Sequence, residues 1–543
     1  MMEHTLCGTI LVLIPTLILC GLDPLMMEHA LCGTILVSNP NLILYGEQGF
    51  LPTRSSRLLF LKESILMRGA IPVQAIILLL LCFRVLSQSD GSTAPMEEKE
   101  KEALYLMIQG FVGKWWNGSG LYPDPCGWTS IQGVSCDLFE NGLWYVTTVN
   151  IGPILDNSLR CSNNAEFSSY LFELSHLRSF SIFNCFSSPF HKKTIIPSQS
   201  WNKLSSSLET LEFRLNKGLT GCIPGALGQL VNLKSLVLTE NSVIGELPWE
   251  IGNLVHLKRL TISANQLSGQ VPASFGTNLA ELLIMDLSNN SLTGHLPSSV
   301  GGLTSLLKLD LSNNFLTGNI PQELCKLKNL ILLDLRNNNL SGGFPPSLQT
   351  MLSLQDMLLS NNPLGGSIKE FSWKNLKNLT HLDLSNTELV GEIPDSITDL
   401  KKLRVLALDG NQLSGFVSPK LADMPSLFAL YLNGNNFAGE LRFSQEFYNR
   451  MGRRFASWNN PNLCYGFKAG NTTREGPDGV SKCNYGENRT VHNLDAGNEA
   501  GRVETTQLSA YMASIGFSAS SIARYMWISF LEIVVINFLW SSM

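Results

Sequence analysis

Large apolar residues return at a fixed period through the centre of the chain. In LVNLKSLVLTENSVIGELP, which starts at Leu230, apolar and turn residues fall at offsets 0, 3, 6, 8, 11, 13, 15, 17 and 18. The template restarts after every 24 or 25 residues, at Leu254, Leu279, Leu303, Leu327, Met351, Leu376, Leu400 and Met424. Nine copies in one register predict a repeat protein in which each copy forms one coil.

The array extends towards the N-terminus in a weaker form. Copies with inserted or altered positions start at Leu204 and Leu174, and a degenerate strand starts at Val146. Alternating apolar residues within each copy, such as Leu309 and Leu311, indicate a short strand. We therefore predict an α/β-type solenoid over residues 146–442, with about eleven 24-residue coils and a parallel β-sheet on the concave face.

A polar residue follows the predicted strand at one fixed offset. It is an asparagine in most copies, namely Asn241, Asn265, Asn290, Asn314, Asn338, Asn362, Asn411 and Asn435. An amide donates and accepts at once, so we expect it to satisfy backbone groups that the coil buries. Thr387 interrupts the series, and its hydroxyl is expected to replace only part of that bonding.

The complete template, L-x-x-L-x-x-L-x-L-x-x-N-x-L-x-G-x-I-P, resembles the plant extracellular subtype of leucine-rich repeats. The G-x-I-P half occurs at residues 221–224, 318–321 and 391–394. The resemblance implies a superhelix capped at both ends. It also implies that the flanking segments 88–145 and 443–484 are the N-terminal and C-terminal caps.

Cysteines flank the array in close pairs, which in an exported chain favours disulfides over metal ligands. The disulfide candidates are Cys126, Cys136, Cys161, Cys185, Cys464 and Cys483. The resemblance places the first two in the N-terminal cap and the last two in the C-terminal cap. The sequence leaves the connectivity open, and Cys222 and Cys325 are expected to be buried and unpaired.

A start-like segment lies inside the chain. Residues 67–91 read MRGAIPVQAIILLLLCFRVLSQSDG, with a basic residue, a short apolar run and a small-residue cleavage site, so residues 67–87 are predicted to be a signal peptide. Before it, MMEHTLCGTILV at 1–12 returns as MMEHALCGTILV at 26–37. Such near-identity indicates a recent duplication of DNA. We therefore interpret residues 1–66 as a leader from the gene model, absent from the mature protein.

The C-terminal end is polar and then apolar. Residues 485–517 are predicted to be a stalk, and residues 518–543 a hydrophobic anchor signal. Ser518, Ala519 and Ser520 are the small residues expected at a glycolipid attachment site. The alternative is a transmembrane helix, which Glu532 disfavours. Either attachment predicts a protein on the extracellular face of the plasma membrane or in the cell wall.

N-glycosylation sequons support export. They occur at Asn117, Asn289, Asn339, Asn378, Asn471 and Asn488. A net charge of −5 without a basic stripe argues against a nucleic-acid partner. Phosphate-binding, nucleophile and metal-ligand motifs are absent from the sequence, so we predict no enzyme activity and no cofactor.

The sheet face is the predicted site of function, because rigid coils hold side chains over a large area. Asp286, Asp310, Asp334 and Asp383 form a column there, which suggests either a metal or carbohydrate site or, more simply, a solvated surface. We favour the solvated surface. The partner-binding candidates are Arg214, Glu240, Arg259, Arg336, His381, Tyr431 and Asn433.

Two functions fit these features. The resemblance implies a cell-surface receptor-like protein without a kinase, which binds a protein or peptide ligand, acts with a receptor kinase and serves in plant–microbe interaction or defence. The alternative is a secreted inhibitor of a microbial cell-wall hydrolase, similar to the polygalacturonase-inhibiting proteins, which use the same repeat subtype. The polar stalk and apolar tail favour the first.

Overall fold

The computed structural model describes residues 94–153, 159–186, 193–466 and 476–484. The predicted leader, signal peptide, stalk and anchor signal lie outside the described residues. Asn471, Asn488, Ser518, Ala519 and Ser520 lie outside them as well. Within the described ranges, no helix is both long enough and apolar enough to cross a membrane.

One 14-stranded sheet, the main sheet, runs through the described chain. Its first two strands pair antiparallel, and each later strand joins its neighbour in parallel. The strands are β1 (Val134–Leu138), β2 (Trp144–Ile151), β3 (Ser179–Phe183), β5 (Thr210–Arg214), β7 (Ser235–Thr239), β9 (Arg259–Thr261), β11 (Ile284–Asp286), β13 (Lys308–Asp310), β15 (Leu332–Asp334), β17 (Asp356–Leu358), β18 (His381–Asp383), β20 (Val405–Ala407), β22 (Ala429–Tyr431) and β24 (Phe455–Ala456).

A lateral set of short strands forms smaller sheets of four, three and five strands. They are β4 (Thr194–Ile195), β6 (Leu219–Cys222), β8 (Ser242–Glu246), β10 (Gln266–Ser268), β12 (Thr293–His295), β14 (Phe315–Asn319), β16 (Asn339–Ser341), β19 (Val390–Gly391), β21 (Gln412–Gly415), β23 (Asn436–Leu441), β25 (Asn462–Tyr465) and β26 (Ser481–Lys482). Most repeats therefore pass from a main strand to a lateral strand before they turn back, and the repeat after β17 has only an isolated bridge at Ser367.

The return segments are mostly 3-10 helices. They are Ser169–Glu173, Trp201–Leu204, Gly225–Gln229, Trp249–Asn253, Ser298–Gly302, Gln322–Lys326, Pro346–Thr350, Trp373–Asn375, Asp395–Asp399, Pro419–Asp423 and Gly452–Arg454. The α-helices of the described chain are α1 (Glu98–Val112), α2 (Gly118–Leu121), α3 (Ala273–Asn278) and α4 (Gln445–Met451). Only five residues separate a proline such as Pro297 from the next buried leucine, Leu303, which leaves no room for a longer helix.

The template positions form the core. In the coil that starts at Leu303, the side chains of Leu306, Leu309, Leu311 and Leu316 are fully buried. Burying one such leucine contributes roughly 1.5–3 kcal/mol relative to leaving it exposed. Because a single coil has apolar edges above and below, that burial requires neighbouring coils.

The asparagines form a buried ladder that joins each coil to the one before it. Asn314 Nδ2 donates to the carbonyl oxygens of Leu287 in the preceding coil and Leu311 in its own coil, both at 3.0 Å. Its Oδ1 accepts from the backbone N–H of Leu292, also at 3.0 Å. Asn216 and Asn460 belong to the same ladder, at its two ends.

Thr387 supplies fewer of these bonds, as predicted. Its single hydroxyl hydrogen is shared between two acceptors, the carbonyl of Leu384 in its own coil and Asn411 Oδ1 in the next coil. No bond from the threonine side chain joins the preceding coil within the described residues. The backbone N–H of Leu364, the equivalent of Leu292, instead donates to the carbonyl of Asn362 at 2.8 Å.

Glycine is required on the lateral face where consecutive coils stack. Gly318 has φ 75°, and a Cβ at this position would lie 2.0 Å from Nδ1 of His295 in the preceding coil. His295 Nδ1 lies 3.1 Å from the carbonyl oxygen of Thr317. The absent side chain therefore allows the imidazole to pack over the next strand.

Both ends of the array are closed by a cap that contains a disulfide. Disulfides join Cys126 to Cys136, Cys161 to Cys185 and Cys464 to Cys483, which are the cysteines that the sequence offered. Cys185 occupies the ladder position, where most other coils have asparagine. A covalent link therefore stands at the first rung, and Asn216 accepts from the N–H of Cys185 at 2.8 Å.

A buried carboxyl group joins the N-terminal cap to the first strands. α1 packs its apolar face on the core, and Glu100 on that helix accepts from the N–H of Val146 at 2.8 Å. Burial raises the pKa of Glu100 to about 7. His176 Nδ1 lies 3.9 Å from the other carboxylate oxygen, and burial lowers the pKa of this histidine.

Candidate partner-binding face

Three rows of side chains cover the outer face of the main sheet, because alternate strand residues point outward. The parallel register sets the rows from β7 to β22. The first row is Ser235, Arg259, Ile284, Lys308, Leu332, Asp356, His381, Val405 and Ala429. The second row is Val237, Thr261, Asp286, Asp310, Asp334, Leu358, Asp383, Ala407 and Tyr431. The third row, two residues further along, is Thr239, Ser263, Ser288, Ser312, Arg336, Ser360, Ser385, Asp409 and Asn433.

The acidic column occupies the centre of the second row. Lys308 Nζ lies 3.3 Å from an oxygen of Asp286 and 3.7 Å from one of Asp310. Arg336 binds both oxygens of Asp334 through Nε, at 2.9 and 3.1 Å. The prediction of a solvated column is wrong, because Asp286 and Asp334 are only 7% and 2% exposed.

The burial of the acidic column affects the protonation of Asp310. Burial raises the pKa of Asp310 to about 7, with further contributions from the negative charges of Asp286 and Asp334. Lys308 and the hydroxyl of Ser312 act in the opposite direction. The centre of the face is thus a closed network in which carboxylates, cations and serines satisfy one another.

Other polar residues of the face are also bonded to their neighbours. His381 Nδ1 lies 2.5 Å from Asp356 Oδ1, and Arg259 Nε donates to Thr261 at 3.2 Å. Arg214 Nε pairs with Glu212 at 3.2 Å. Among the candidates, Arg214, Arg259, Arg336 and His381 therefore already have partners within the sheet.

Glu240 differs from the other candidates in its backbone conformation. It follows β7 in a left-handed conformation, with φ 55°, and its side chain is exposed. The equivalent residues in later coils form a second, outer asparagine ladder at the margin of the face. Asn337 donates to Asn313, Asn361 to Asn337 and Asn386 to Asn361, at 2.6, 2.6 and 2.9 Å.

The last coils present a different surface, which we call the C-terminal platform: Ala407, Tyr431, Asn433, Ala456 and Trp458. The residues opposite Tyr431 on the two neighbouring strands are Ala407 and Ala456, so no bulky side chain flanks its ring in the row. Trp458 stands beside Asn433 and is 41% exposed. The Tyr431 hydroxyl, the Asn433 amide and the Trp458 indole N–H make no hydrogen bond to any described residue.

Arginines border this platform along the start of the strands. Arg404, Phe428 and Arg453 occupy equivalent positions in three successive coils, and Arg454 follows Arg453. The Arg454 guanidinium lies 4.1 Å from the centre of the Phe428 ring, which is a cation–π contact. Across the described ranges, no carboxylate lies within 4.0 Å of these arginines. We call Arg404, Phe428, Arg453 and Arg454 the arginine edge.

The structure brings two of the predicted candidates, Tyr431 and Asn433, together on the platform. Sequence reasoning missed Trp458 and the arginine edge. Phe455, Ala456 and Ser457 replace the usual L-x-L of the strand, so this last coil does not match the template. The signal that would have found it is the pair Asn459-Asn460, which repeats the asparagines that end the other strands.

A model of the leucine-rich repeat region matches residues 176–461, which is more than half of the chain. The chain is a leucine-rich-repeat protein. It is 56% identical over 153 residues to Piriformospora indica-insensitive protein 2 of Arabidopsis thaliana, which is 28% of this chain and 35% of that protein. It is 33% identical over 180 residues to Receptor like protein 29 of Arabidopsis thaliana, which is 32% of this chain and 37% of that protein.

The matches span little more than one third of the length of these relatives. Among solved structures, that of PEPR1-AtPEP1 covers 68% of this chain and 51% of its own, with a TM-score of 0.52 and 26% identity. The predicted leucine-rich-repeat solenoid and the resemblance to plant proteins of this family are confirmed. The main sheet is therefore the concave sheet of the solenoid.

The sequons of this leucine-rich-repeat protein differ in their surroundings. Asn117 and Asn339 are exposed, whereas Asn289 and Asn378 are half-buried. Asn378 Nδ2 donates to the carbonyl of Leu352 at 3.0 Å. Glycosylation at these positions stays a prediction.

Two cysteines of the repeat array, Cys222 and Cys325, are free thiols. Cys222 is exposed on the lateral face and Cys325 is half-buried, so the prediction of two buried thiols is wrong. Among the described residues, no group of three or more histidine, cysteine or acidic side chains is placed to hold a metal ion.

Proposed function

We propose that this chain is an extracellular recognition protein that binds a protein or peptide partner through its concave sheet, in plant–microbe interaction or defence. The similarity to two plant proteins, one of them named a receptor like protein, supports this assignment. The structure of PEPR1-AtPEP1, a complex on the same fold, also supports it. A receptor kinase is the proposed signalling partner, and the C-terminal tail is the proposed membrane anchor.

The observation that carries the proposal is the contrast between the centre and the end of the concave face. Central charged groups are bonded to one another, so a ligand gains little by contacting them and loses the bonds it breaks. On the C-terminal platform, two aromatic side chains and an amide have polar groups that make no hydrogen bond to any residue in the described ranges. Tyrosine and tryptophan, together with arginine, are enriched among the few residues that dominate binding energy at interfaces.

The charges near the platform favour an acidic partner. Arg404, Arg453 and Arg454 have no carboxylate partner in the described chain, although the Arg454 guanidinium already donates to the carbonyls of Met451 and Arg450. Arg404 and Arg453 are therefore the better candidates for a carboxylate, which arginine binds with two parallel hydrogen bonds. An apolar or aromatic group of the partner is expected to pack against Tyr431 and Trp458. An acidic group about 7–10 Å away then faces the arginine edge, since that edge lies two to three strand residues from Tyr431.

Photocrosslinking tests whether the partner binds at the C-terminal platform. A photoreactive amino acid replaces Tyr431 in the full chain, expressed in plant cells, and Gln322, exposed on the opposite side, is the matched control. We expect one defined adduct from position 431 and none from 322, and Arg404→Glu is expected to reduce its yield. Identical adducts from both positions, or an adduct unaffected by Arg404→Glu, would contradict the proposal.

The same material tests the alternative function and the anchor. A purified chain that inhibits a microbial polygalacturonase, and loses inhibition on Tyr431→Ala, would favour the inhibitor. Release of the protein from plant cells by a phospholipase that cuts glycolipid anchors supports the proposed anchor. Retention after treatment supports a spanning helix instead.

A further inference from the structure

Phe315 exposes its ring beside a glycosylation sequon on the lateral face. The side chain of Phe315, on β14, is 61% exposed. On the adjacent strand β16, Asn339 pairs with Thr317, two residues beyond Phe315. In a parallel pair, with strands about 4.8 Å apart and a rise of about 3.3 Å per residue, such diagonal neighbours lie on the same face about 8 Å apart, a distance that an aromatic side chain spans.

The Asn339 side chain is free to carry a sugar. Asn339 is exposed, and its amide makes no hydrogen bond to any residue that the structure describes. Its neighbours behave differently: Asn338 bonds to three backbone carbonyls, and Asn337 bonds to Asn313. Of three consecutive asparagines, the one in the sequon is therefore the one whose side-chain amide bonds to no residue of the described chain.

The N-terminal cap also has an exposed aromatic residue close in sequence to a sequon, here in a turn and not on paired strands. Trp115 is 75% exposed and stands two residues before Asn117, the asparagine of another sequon. Asn117 Oδ1 accepts from the N–H of Gly120 and the hydroxyl of Ser119, both at 3.1 Å. Its Nδ2 has no bond to a described residue and is available for the sugar.

We propose that N-glycans on Asn339 and Asn117 pack over Phe315 and Trp115 and form part of the folded surface. Asparagine Nδ2 forms the bond to the anomeric carbon of a lipid-diphosphate-linked oligosaccharide. The carbon–oxygen bond to the diphosphate breaks, the amide loses one proton and the lipid diphosphate leaves. The C–H face of the first sugar then lies on the electron-rich ring face and removes apolar surface from water. The proposal requires export but not the proposed partner.

Asn378 supplies a contrast. Its neighbours in the adjacent coils are Leu352, whose carbonyl accepts from Nδ2, and Lys402, whose Nζ donates to Oδ1 at 2.8 Å. A glycan at this position has no exposed aromatic ring at these contacts. Loss of this glycan is therefore expected to leave Phe315 and Trp115 unchanged.

Hydroxyl-radical footprinting of the full chain, secreted from plant cells, tests the proposal. Ser341→Ala removes the Asn339 sequon, Ser119→Ala removes the Asn117 sequon, and Thr380→Val removes the Asn378 sequon as a control. We expect Ser341→Ala to raise the reactivity of Phe315 alone and Ser119→Ala that of Trp115 alone. Thr380→Val should raise neither, and Trp128, 68% exposed, is the internal reference.

Two results would overturn the inference. Intact-glycopeptide mass spectrometry that finds Asn339 and Asn117 unmodified removes the sugars on which it depends. Ring reactivities that do not change when the sequons are removed show that the sugars do not cover the rings. Enzymatic removal of glycans from the folded wild-type protein repeats the measurement without a substitution, so a folding defect in a variant cannot imitate the effect.

Discussion

The buried ladder predicts that asparagine and threonine at the same rung differ in stability. Asn314→Thr gives that rung the residue that the chain itself has at position 387. The substitution removes the bond from Asn314 Nδ2 to the carbonyl of Leu287 and the bond from the Leu292 N–H to Oδ1. Side-chain volume changes little, so the loss is one of hydrogen bonding, and no cavity opens.

The hydrogen bonds around Asn314 set the expected loss in the free energy of unfolding. The carbonyl of Leu287 keeps a bond from Asn290 Nδ2 at 3.1 Å, so it loses one of two donors, a cost of about 0.5–1.5 kcal/mol. The N–H of Leu292 is left buried without its acceptor, which costs about 1–3 kcal/mol. Together these give roughly 1.5–4.5 kcal/mol. The reverse change, Thr387→Asn, is expected to gain less, about 1 kcal/mol, because the N–H at its rung already has a backbone acceptor.

Urea unfolding followed by circular dichroism measures both variants, and hydrogen exchange locates the effect. The amide of Leu292 should exchange faster in Asn314→Thr. The amide of Leu316, which Asn338 Oδ1 binds at 3.0 Å in the next rung, is the internal control. An unfolding free energy within about 0.5 kcal/mol of wild type, the range of a neutral surface change, would refute the stabilising role of the ladder.

Three further outcomes follow from the contacts described above. Because burial raises the pKa of Asp310 from 3.8 to about 7, the folded state binds more protons than the unfolded state between these values. Stability should therefore fall as pH rises through that window, and Asp310→Asn should flatten the fall in urea unfolding at several pH values. Replacing Cys161 and Cys185 by serine opens a link 24 residues apart in sequence, with an expected loss of about 3 kcal/mol in chemical unfolding. Gly318→Ala should destabilise more than Gly343→Ala, because both need a left-handed φ but only the first Cβ meets a neighbouring side chain. Equal melting temperatures for the two would contradict this.

The sequence was sufficient for the repeat positions. Template leucines such as Leu309 and Leu311 are buried, and the ladder asparagines bond as their chemistry predicted. This success has a physical cause: each template position has the same surroundings in successive coils. Even the interruption at Thr387 was predictable, because a hydroxyl has one donor hydrogen, on the atom that must also accept, whereas an amide has two on a separate nitrogen.

The non-template positions were less predictable. Whether an aspartate on the face is solvated depends on which side chains stand one coil away, as Lys308 does beside Asp286. These neighbours are about 24 residues distant, and their rotamers decide which charges meet. Trp458 was not predicted for another reason. Its coil follows the same backbone path as the others but lacks the template leucines by which a repeat is found in the sequence.

The ladder also limits how this protein changes length during evolution. The bonds of Asn314 connect residues 27 and 22 positions apart, and the same two separations recur at Asn338, Asn362 and Asn435. At Asn290 the separations are 28 and 23, because the return segment of the preceding coil, α3, is one residue longer, so a rung tolerates one extra residue on the far side of the coil. Larger changes in length are expected to come in whole coils, since a duplicated coil adds a rung and leaves the others intact. Each gain or loss moves the C-terminal platform by about 4.8 Å relative to the N-terminal cap, without altering either surface.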